Sequence, residues 1–196
     1  MSFEFTGLQN GHYAAIAIDP PWKFKVRSVK EKNRLPPYQT MAIAEIKALP
    51  VQALAAKDCF LFLWTTGPHL VESLELMKGW GFAYSSLAFV WVKTNPNAGH
   101  LFYDRKSFHV GMGYTTRKNA EYCLLGRRGR PVRISKKVHE LIISPRREHS
   151  RKPDEFYDRV VQFCDGPRAD IFSREDRAGF DSFGDQSGKF NKGKAA

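Results

Sequence analysis

The chain has no apolar run approaching the roughly 18 residues of a membrane-spanning helix, which argues against a helical integral membrane protein. No charged start followed by an apolar core marks its N-terminus, so a secretory leader is not expected and the cytoplasm of a bacterium or a phage-infected host is the expected compartment. Cysteine is scarce. Cys59, Cys123 and Cys164 lie far apart in apolar company, which argues against a disulfide framework and reads as reduced core thiols. The histidines at 12, 69, 100, 109, 139 and 149 show no metal-ligand spacing with them, so no metal is expected. Gly111-Met112-Gly113 is too short for a phosphate loop, and no Gly-Lys-Ser follows it. Repeats are absent, and the only low-complexity stretch is a polar tail, Gly188 to Ala196, expected to be frayed beyond a single domain at 1–187. Acids are under-represented, with 20 Asp and Glu against 31 Lys and Arg.

That imbalance leaves a net charge of +11, which favours a polyanionic partner, nucleic acid before membrane surface. No amphipathic basic helix supports the membrane alternative. With 42% hydrophobic residues, 196 residues suffice for one α/β domain with its own core. Strand-like and helix-like segments alternate. Ala14 to Ile18, Cys59 to Trp64 and Ala83 to Lys93 read as strands. Glu121 to Gly126, Val138 to Ile142 and Ala169 to Phe172 are further strand candidates. Helices are expected near Ala42 to Lys57, with Thr40 as N-cap; after Pro68, with Leu70, Leu74 and Met77 on one face; and after Pro153, with Phe156, Val160 and Phe163 on one side. Such alternation predicts a mostly parallel sheet with helices on both faces and ligands at the carboxyl ends of the strands. Two stretches, Lys23 to Pro37 and Thr94 to Arg117, read as long functional or mobile loops.

The most informative run is Asp19-Pro20-Pro21-Trp22, directly after the first apolar strand. The exocyclic amine of adenine is a poor nucleophile because its lone pair is delocalised into the ring. Hydrogen-bond acceptors on both of its N–H groups localise that pair. The Asp19 carboxylate supplies one acceptor and the Pro20 carbonyl the other, and two prolines hold them in place beforehand. Trp22 offers a stacking face worth about 1–3 kcal/mol per base, reached from a duplex by base flipping. The same four residues also read as a proline-stiffened turn with a buried tryptophan.

Further blocks follow in order: Pro37-Tyr38-Gln39-Thr40-Met41, Leu61-Phe62-Leu63-Trp64-Thr65, Trp91-Val92-Lys93-Thr94-Asn95, Glu121-Tyr122-Cys123-Leu124 and Ser150-Arg151-Lys152-Pro153-Asp154-Glu155. With the first run, these blocks resemble the MT-A70-like family of adenine-N6 methyltransferases, in its small bacterial and phage form, from about Tyr13 to Gln186. The resemblance implies a Rossmann-like domain with a circularly permuted motif order, since the catalytic strand comes early and the cofactor acid late. It implies S-adenosylmethionine as cofactor and an in-line displacement at the sulfonium methyl. DNA is the favoured substrate and RNA the alternative. It assigns amine binding to Asp19, Pro20, Pro21 and Trp22. It places Ile18, Lys152, Asp170, Phe172, Ser173, Arg174, Asp185 and Gln186 on the cofactor. The substrate side is expected to hold Lys23, Tyr38, Trp91, Lys93, Arg117, Arg127 and Arg128. The chain departs from the family pattern at Ser173, where glycine is usual, in the final block Gly184-Asp185-Gln186, where asparagine is usual, in the acidic Glu175-Asp176-Arg177 after Arg174, and ahead of Ala14, where nothing matches the family's contact to the cofactor base.

Arg117 to Lys152 carries twelve basic residues against three acids, Glu121, Glu140 and Glu148, and reads as a phosphate track rather than a solvated surface. A non-catalytic nucleic-acid-binding relative is the rival reading. The intact acid-proline-proline-aromatic run argues against it. A homo-oligomer or a partner subunit stays open at this level.

Overall fold

Residues 3–23, 39–98, 103–111, 113, 115–148, 151–184 and 188–191 are described in a computed structural model. The elements run β1 (Tyr13–Ile18), α1 (Ile43–Lys47), α2 (Val51–Leu54), β2 (Ala55–Thr65), a 3-10 turn (Gly67–His69), α3 (Leu70–Gly79), β3 (Ala83–Thr94), β4 (Ala120–Arg128), β5 (Leu141–Pro145), α4 (Asp154–Phe163), β6 (Arg168–Ile171) and β7 (Asp181–Phe183). The seven strands form one sheet in the order β5-β3-β4-β2-β1-β6-β7. Every neighbouring pair is parallel except those of β4, which runs antiparallel between β2 and β3. The sheet is therefore mixed and mostly parallel, as the alternating pattern predicts.

Strand alternation sends the core to two faces. Ile16, Ile18, Leu61, Leu63 and Ile171 point to one, where they bury Ile46, Val51, Leu54, Leu76 and Met77 of α1, α2 and α3. Ala15, Ala17, Phe60, Phe62, Phe89 and Cys123 point to the other, beneath Phe156 and Val160 of α4. Trp64 and Phe62 are each about 1% exposed there, and burial of one such side chain stabilises by about 1.5–3 kcal/mol. All three cysteines are free and buried, as read from their company.

The helix expected over Ala42 to Lys57 is corrected. Ala42, not Thr40, caps α1, and its N–H donates to the Glu45 carboxylate at 2.6 Å. Pro50 lacks the N–H a continuous helix needs there, so α1 ends at Lys47 and β2 already begins at Ala55. In α3 the buried face is Ser73, Leu76 and Met77, whereas Leu70 and Leu74 are 38% exposed. The Ser73 hydroxyl donates to the His69 carbonyl at 2.7 Å and meets Thr65 Oγ1 at 2.6 Å, which accounts for a buried serine on that face.

The stretch Thr94 to Arg117, read as irregular, is folded back on the sheet over its described residues. His109 N–H donates to the Lys93 carbonyl, Asn95 N–H to the Ser107 carbonyl, and the Asn119 amide to both Lys93 and His109 carbonyls. Of the other loop, only Lys23 is described. In the tail, Phe190 N–H donates to the Arg174 carbonyl and its ring lies 5.0 Å from the Arg151 guanidinium. No helix among the described residues is long and apolar enough to cross a membrane.

Candidate active site

The face that buries Ala15, Ala17, Phe60, Phe62, Phe89 and Cys123 ends in charge. Two residues beyond Ala17 on β1 comes Asp19; two beyond Trp91 on β3 comes Lys93; two before Cys123 on β4 comes Glu121. Asp170 of β6 pairs in register with Ala17 and so lies on this same side. Because β4 runs antiparallel, its first residues meet the last residues of its parallel neighbours. Period-two geometry thus gathers Asp19, Lys93, Glu121 and Asp170 at one end of one face.

Lys152, immediately ahead of the Pro153 that caps α4, sits at the centre of this group. Its ammonium lies 2.8 Å from Asp19 Oδ2, 3.0 Å from Glu121 Oε2 and 5.2 Å from the centre of the Trp64 ring. Lys93 pairs with the other Glu121 oxygen and rests 4.6 Å over the Trp91 ring. Two carboxylates and two ammonium groups therefore balance one another. Burial alone pushes the Glu121 carboxyl up, but Lys152 and Lys93 together bring it down to about 2. Burial alone would lower Lys152, yet Asp19 and Glu121 hold it above the ordinary lysine range. Asp19 goes the other way: burial raises it, with Lys152 opposing and Glu121 adding repulsion.

The turn after Asp19 is tied down by backbone. Trp22 N–H donates to the Pro20 carbonyl at 2.8 Å, and Met41 N–H to the Pro21 carbonyl at 2.9 Å. A carbonyl has two lone pairs, so Pro20 keeps one acceptor position. Trp22 itself turns away to the opposite face. It is 4% exposed, stacked on His69 at 4.8 Å and 11°, and part of the core beneath α1 to α3. The open stacking platform expected of Trp22 is corrected: once the chain passes Pro21, its apolar ring is committed to burial.

Beside Asp19 a narrow cleft is lined by Trp64, Arg151, Lys152, Tyr157, Asp170, Phe172, Ser173, Arg174, Glu175 and Arg177. A wider cleft of about 540 Å³ shares Tyr157, Glu175 and Arg177 with it. The Tyr157 hydroxyl donates to Asp170 Oδ2 at 2.9 Å, and the Arg177 guanidinium stacks 4.0 Å over the Tyr157 ring. Burial pushes Asp170 up to about 6, against Ser173, Tyr157 and Arg177, which favour its charged form. Phe172 has φ of 63°, a left-handed conformation that costs a non-glycine residue about 1–2 kcal/mol. Strain of this kind concentrates where a loop is shaped for a ligand.

The expected site residues divide accordingly. Asp19, Pro20, Lys152, Asp170, Phe172, Ser173, Arg174 and Lys93 come together. Arg117 is exposed ahead of β4 at the same end, and Lys23 is exposed just after the turn. Ile18 points to the opposite face and is fully buried, so only its backbone borders the site. Trp91 is 2% exposed, with its indole N–H donating to the Ser144 carbonyl, and serves as the floor under Lys93 rather than as a substrate contact. Arg127 and Arg128 are not brought to the site; they pair with Phe60 and Cys59 at the other end of the sheet. Tyr38, Asp185 and Gln186 lie outside the described residues. Glu121 and Tyr157 were not singled out as site residues from sequence. An acid opening an otherwise apolar strand, Glu121 before Tyr122-Cys123-Leu124-Leu125, was the available signal.

The MT-A70 family model matches residues 13–186. The chain belongs to the MT-A70 family. The type II methyltransferase M.MunI of Mycoplasma sp is 28% identical over 200 residues, covering 92% of this chain and 80% of that protein. A putative N(6)-adenosine-methyltransferase MT-A70-like of Medicago truncatula is 32% identical over 180 residues, covering 90% and 26%. The human N(6)-adenosine-methyltransferase catalytic subunit METTL3 is 29% identical over 166 residues, covering 84% and 26%. This MT-A70 chain thus spans most of the Mycoplasma protein but only about a quarter of the plant and human ones. Among the described residues of the MT-A70 domain, no group of three or more His, Cys, Asp or Glu is placed to hold a metal.

Proposed function

We propose that the protein is an adenine-N6 methyltransferase that uses S-adenosylmethionine and acts on DNA. The observation that carries this reading is the Asp19 carboxylate, held by Lys152 at the end of β1 beside a proline-fixed carbonyl. Family membership supports the same chemistry, and the mostly parallel sheet with its early catalytic strand and late acid fits a permuted Rossmann-like arrangement. The DNA preference rests on the extent of the match to the Mycoplasma enzyme, of which the chain covers 80%. Adenosine in RNA is the second reading, favoured by the 32% identity to the plant protein.

The residues beside Asp19 fit the cofactor by their chemistry. Arg151, Lys152 and Arg174 are cations suited to a carboxylate, and Asp170 and Glu175 are acceptors suited to an ammonium group and to ribose hydroxyls. Asp170 keeps free lone pairs while Tyr157 occupies one oxygen. When bound, S-adenosylmethionine supplies an electrophilic methyl on a positively charged sulfur.

Lys152 occupies Oδ2 of Asp19, which leaves Oδ1 to accept one N–H of the adenine amine. The Pro20 carbonyl accepts the other through its remaining lone pair. Both acceptors are set before the base arrives, because the turn is fixed by two prolines and two backbone hydrogen bonds. Glu121 shares Lys152 with Asp19 and so limits how strongly the ammonium competes with the amine. Trp22 fixes the turn from behind through its burial. After transfer the extra amine proton leaves to water or through Asp19.

Incubation with labelled cofactor and a panel of DNA and RNA substrates, followed by nucleoside mass analysis, tests the reading. N6-methyldeoxyadenosine is expected. Methylated adenosine from RNA alone would move the assignment to the second reading, and no methylated adenine from any substrate with folded protein would end it.

A further inference from the structure

The end of the sheet away from Asp19 carries a second basic surface. At roughly 3.3 Å per residue, β4 from Glu121 to Arg127 separates the two ends by about 20 Å. Lys57, Arg127 and Arg130 are exposed there, Arg133, Lys136 and Lys137 are exposed along the loop that returns from it toward Leu141, and none has an ion pair among the described residues. Asp58, Glu140 and the exposed Asp165, two residues beyond the Phe163 to which the loop is bonded, are acids of this region. One Asp58 oxygen is taken by the Arg130 backbone N–H at 2.6 Å.

The loop that bears most of these charges is built, not trailing. Arg130 N–H is held by Asp58, and Ile134 N–H donates to the Phe163 carbonyl at the end of α4 at 2.8 Å. The Arg159 guanidinium donates to the carbonyls of His139 and Leu141, the latter at 2.9 Å. Gly129 has φ of 66°, and a Cβ there would come within 2.2 Å of Asp58 Oδ1, so the loop's entry accepts only glycine. Every anchor except the Arg159 guanidinium uses backbone N–H groups, which leaves the basic side chains of residues 130–137 outward. Val132 and Ile134 alternate with them and are 76% and 61% exposed.

We propose that this distal platform is a second nucleic-acid surface, which grips the phosphate backbone about six base pairs, at ~3.4 Å each, from the base held at Asp19. The loop after β4 itself returns from the distal end toward the catalytic one: Leu141, which opens the edge strand β5, pairs with Val90, itself paired with Tyr122, and β5 then brings Arg146 and Arg147 beyond Thr94. Ammonium and guanidinium groups on a fixed loop suit phosphates, and apolar side chains between them suit the sugars that alternate with phosphates. The surface reads no bases. It adds affinity and salt dependence for any substrate long enough to reach it. The proposal rests on nucleic acid as substrate but not on methyl transfer.

The test is the combined variant R130A/R133A/K136A/K137A, whose side chains anchor nothing. Affinity for a fluorescent 30-base-pair duplex is measured from 50 to 200 mM salt, in the parent and again in Asp19→Ala protein. Methylation of a six-nucleotide single strand is followed in parallel. The expected result is at least tenfold weaker duplex binding, a salt slope shallower by about 3, and an unchanged rate on the six-mer. Because binding is also read in the Asp19→Ala protein, it stands even where no methylation is found. Unchanged affinity and slope would overturn the proposal. So would a variant that loses binding to vesicles of anionic lipid while its duplex affinity is retained, since the surface would then belong to a membrane.

Discussion

The two ends of the sheet carry the same residue types in opposite circumstances. At the catalytic end, Lys93 and Lys152 are matched to Glu121 and Asp19 and rest over Trp91 and Trp64. At the distal end and along the loop that leaves it, Arg127, Arg130, Arg133, Lys136 and Lys137 face solvent without an ion pair among the described residues. A paired, buried cation sets the protonation and position of its neighbours. An exposed, unpaired one is available to a polyanion and does little for the fold. Charge along the sequence does not distinguish these cases, because the antiparallel β4 carries one basic run from one end to the other.

Four substitutions probe the contrast. The largest effect is expected at Asp19. Asp19→Ala should reduce methyl transfer by at least about 10³-fold, the scale on which a preorganised polar group at the reacting atom acts. Duplex affinity should stay within twofold, and labelled-methyl incorporation beside anisotropy checks both. Retained turnover would remove Asp19 from its role.

Trp22→Ala comes next. Loss of a buried aromatic side chain should destabilise the fold by about 3–5 kcal/mol, read from urea unfolding. A selective loss on duplex substrate with stability unchanged would instead restore the stacking platform.

Glu121→Gln should lower kcat/KM by about 10–100-fold, as expected when a buried charge network loses one partner. The direction of its pH effect is specific. The Glu121 charge raises the Asp19 carboxyl, so its removal lets that carboxyl fall. In the proposed reaction Asp19 acts as the carboxylate, so the acid limb of the pH–rate profile should move to lower pH. An acid limb that stays in place would sever Glu121 from Asp19. Glu121 itself, depressed to about 2, contributes stability that is present above the ordinary glutamate range and is lost as pH falls toward 2.

Asp170→Asn should weaken cofactor binding about tenfold by calorimetry. The same variant should gain stability at pH 8, with about 3 kcal/mol as an upper bound, because a carboxyl raised to about 6 is held charged there at a cost. That gain should vanish as pH falls below 6 toward the unfolded value, where the native carboxyl is already protonated. Equal stability at both pH values would mean that Asp170 is not strained by its burial.

Much of this was legible in the sequence, for identifiable reasons. The run Cys59 to Trp64 is continuously apolar because both faces of β2 are buried, and only a strand of that length suits it. Pro153, Phe156 and Val160 announced α4 through an N-terminal proline and helical spacing. The Ala42 to Lys57 segment misled because Ile43, Ile46 and Leu49 keep helical spacing up to Pro50, and periodicity does not register a backbone break. β7, three residues without an apolar run, exists only by pairing with β6. At the site, Asp19 was legible as an acid held by two prolines at the end of an apolar strand, and Lys152 and Asp170 through the family resemblance. Glu121 needed the direction of β4, and Tyr157 needed its placement against Asp170; no local pattern encodes either. Trp22 was misjudged because a proline turn fixes the backbone without saying to which face the next ring falls.

The single reversed strand has a consequence for change over time. β3 and β4 are adjacent, and both leave the sheet at the catalytic end, so the segment between Thr94 and Ala120 begins and ends beside the pocket. A parallel partner would have needed a crossover to the far side. A connection that departs and returns at one rim can be lengthened, shortened or exchanged as a cassette while the framework beneath it is left alone. The rim of the site is therefore free to vary in this architecture without the framework beneath it moving.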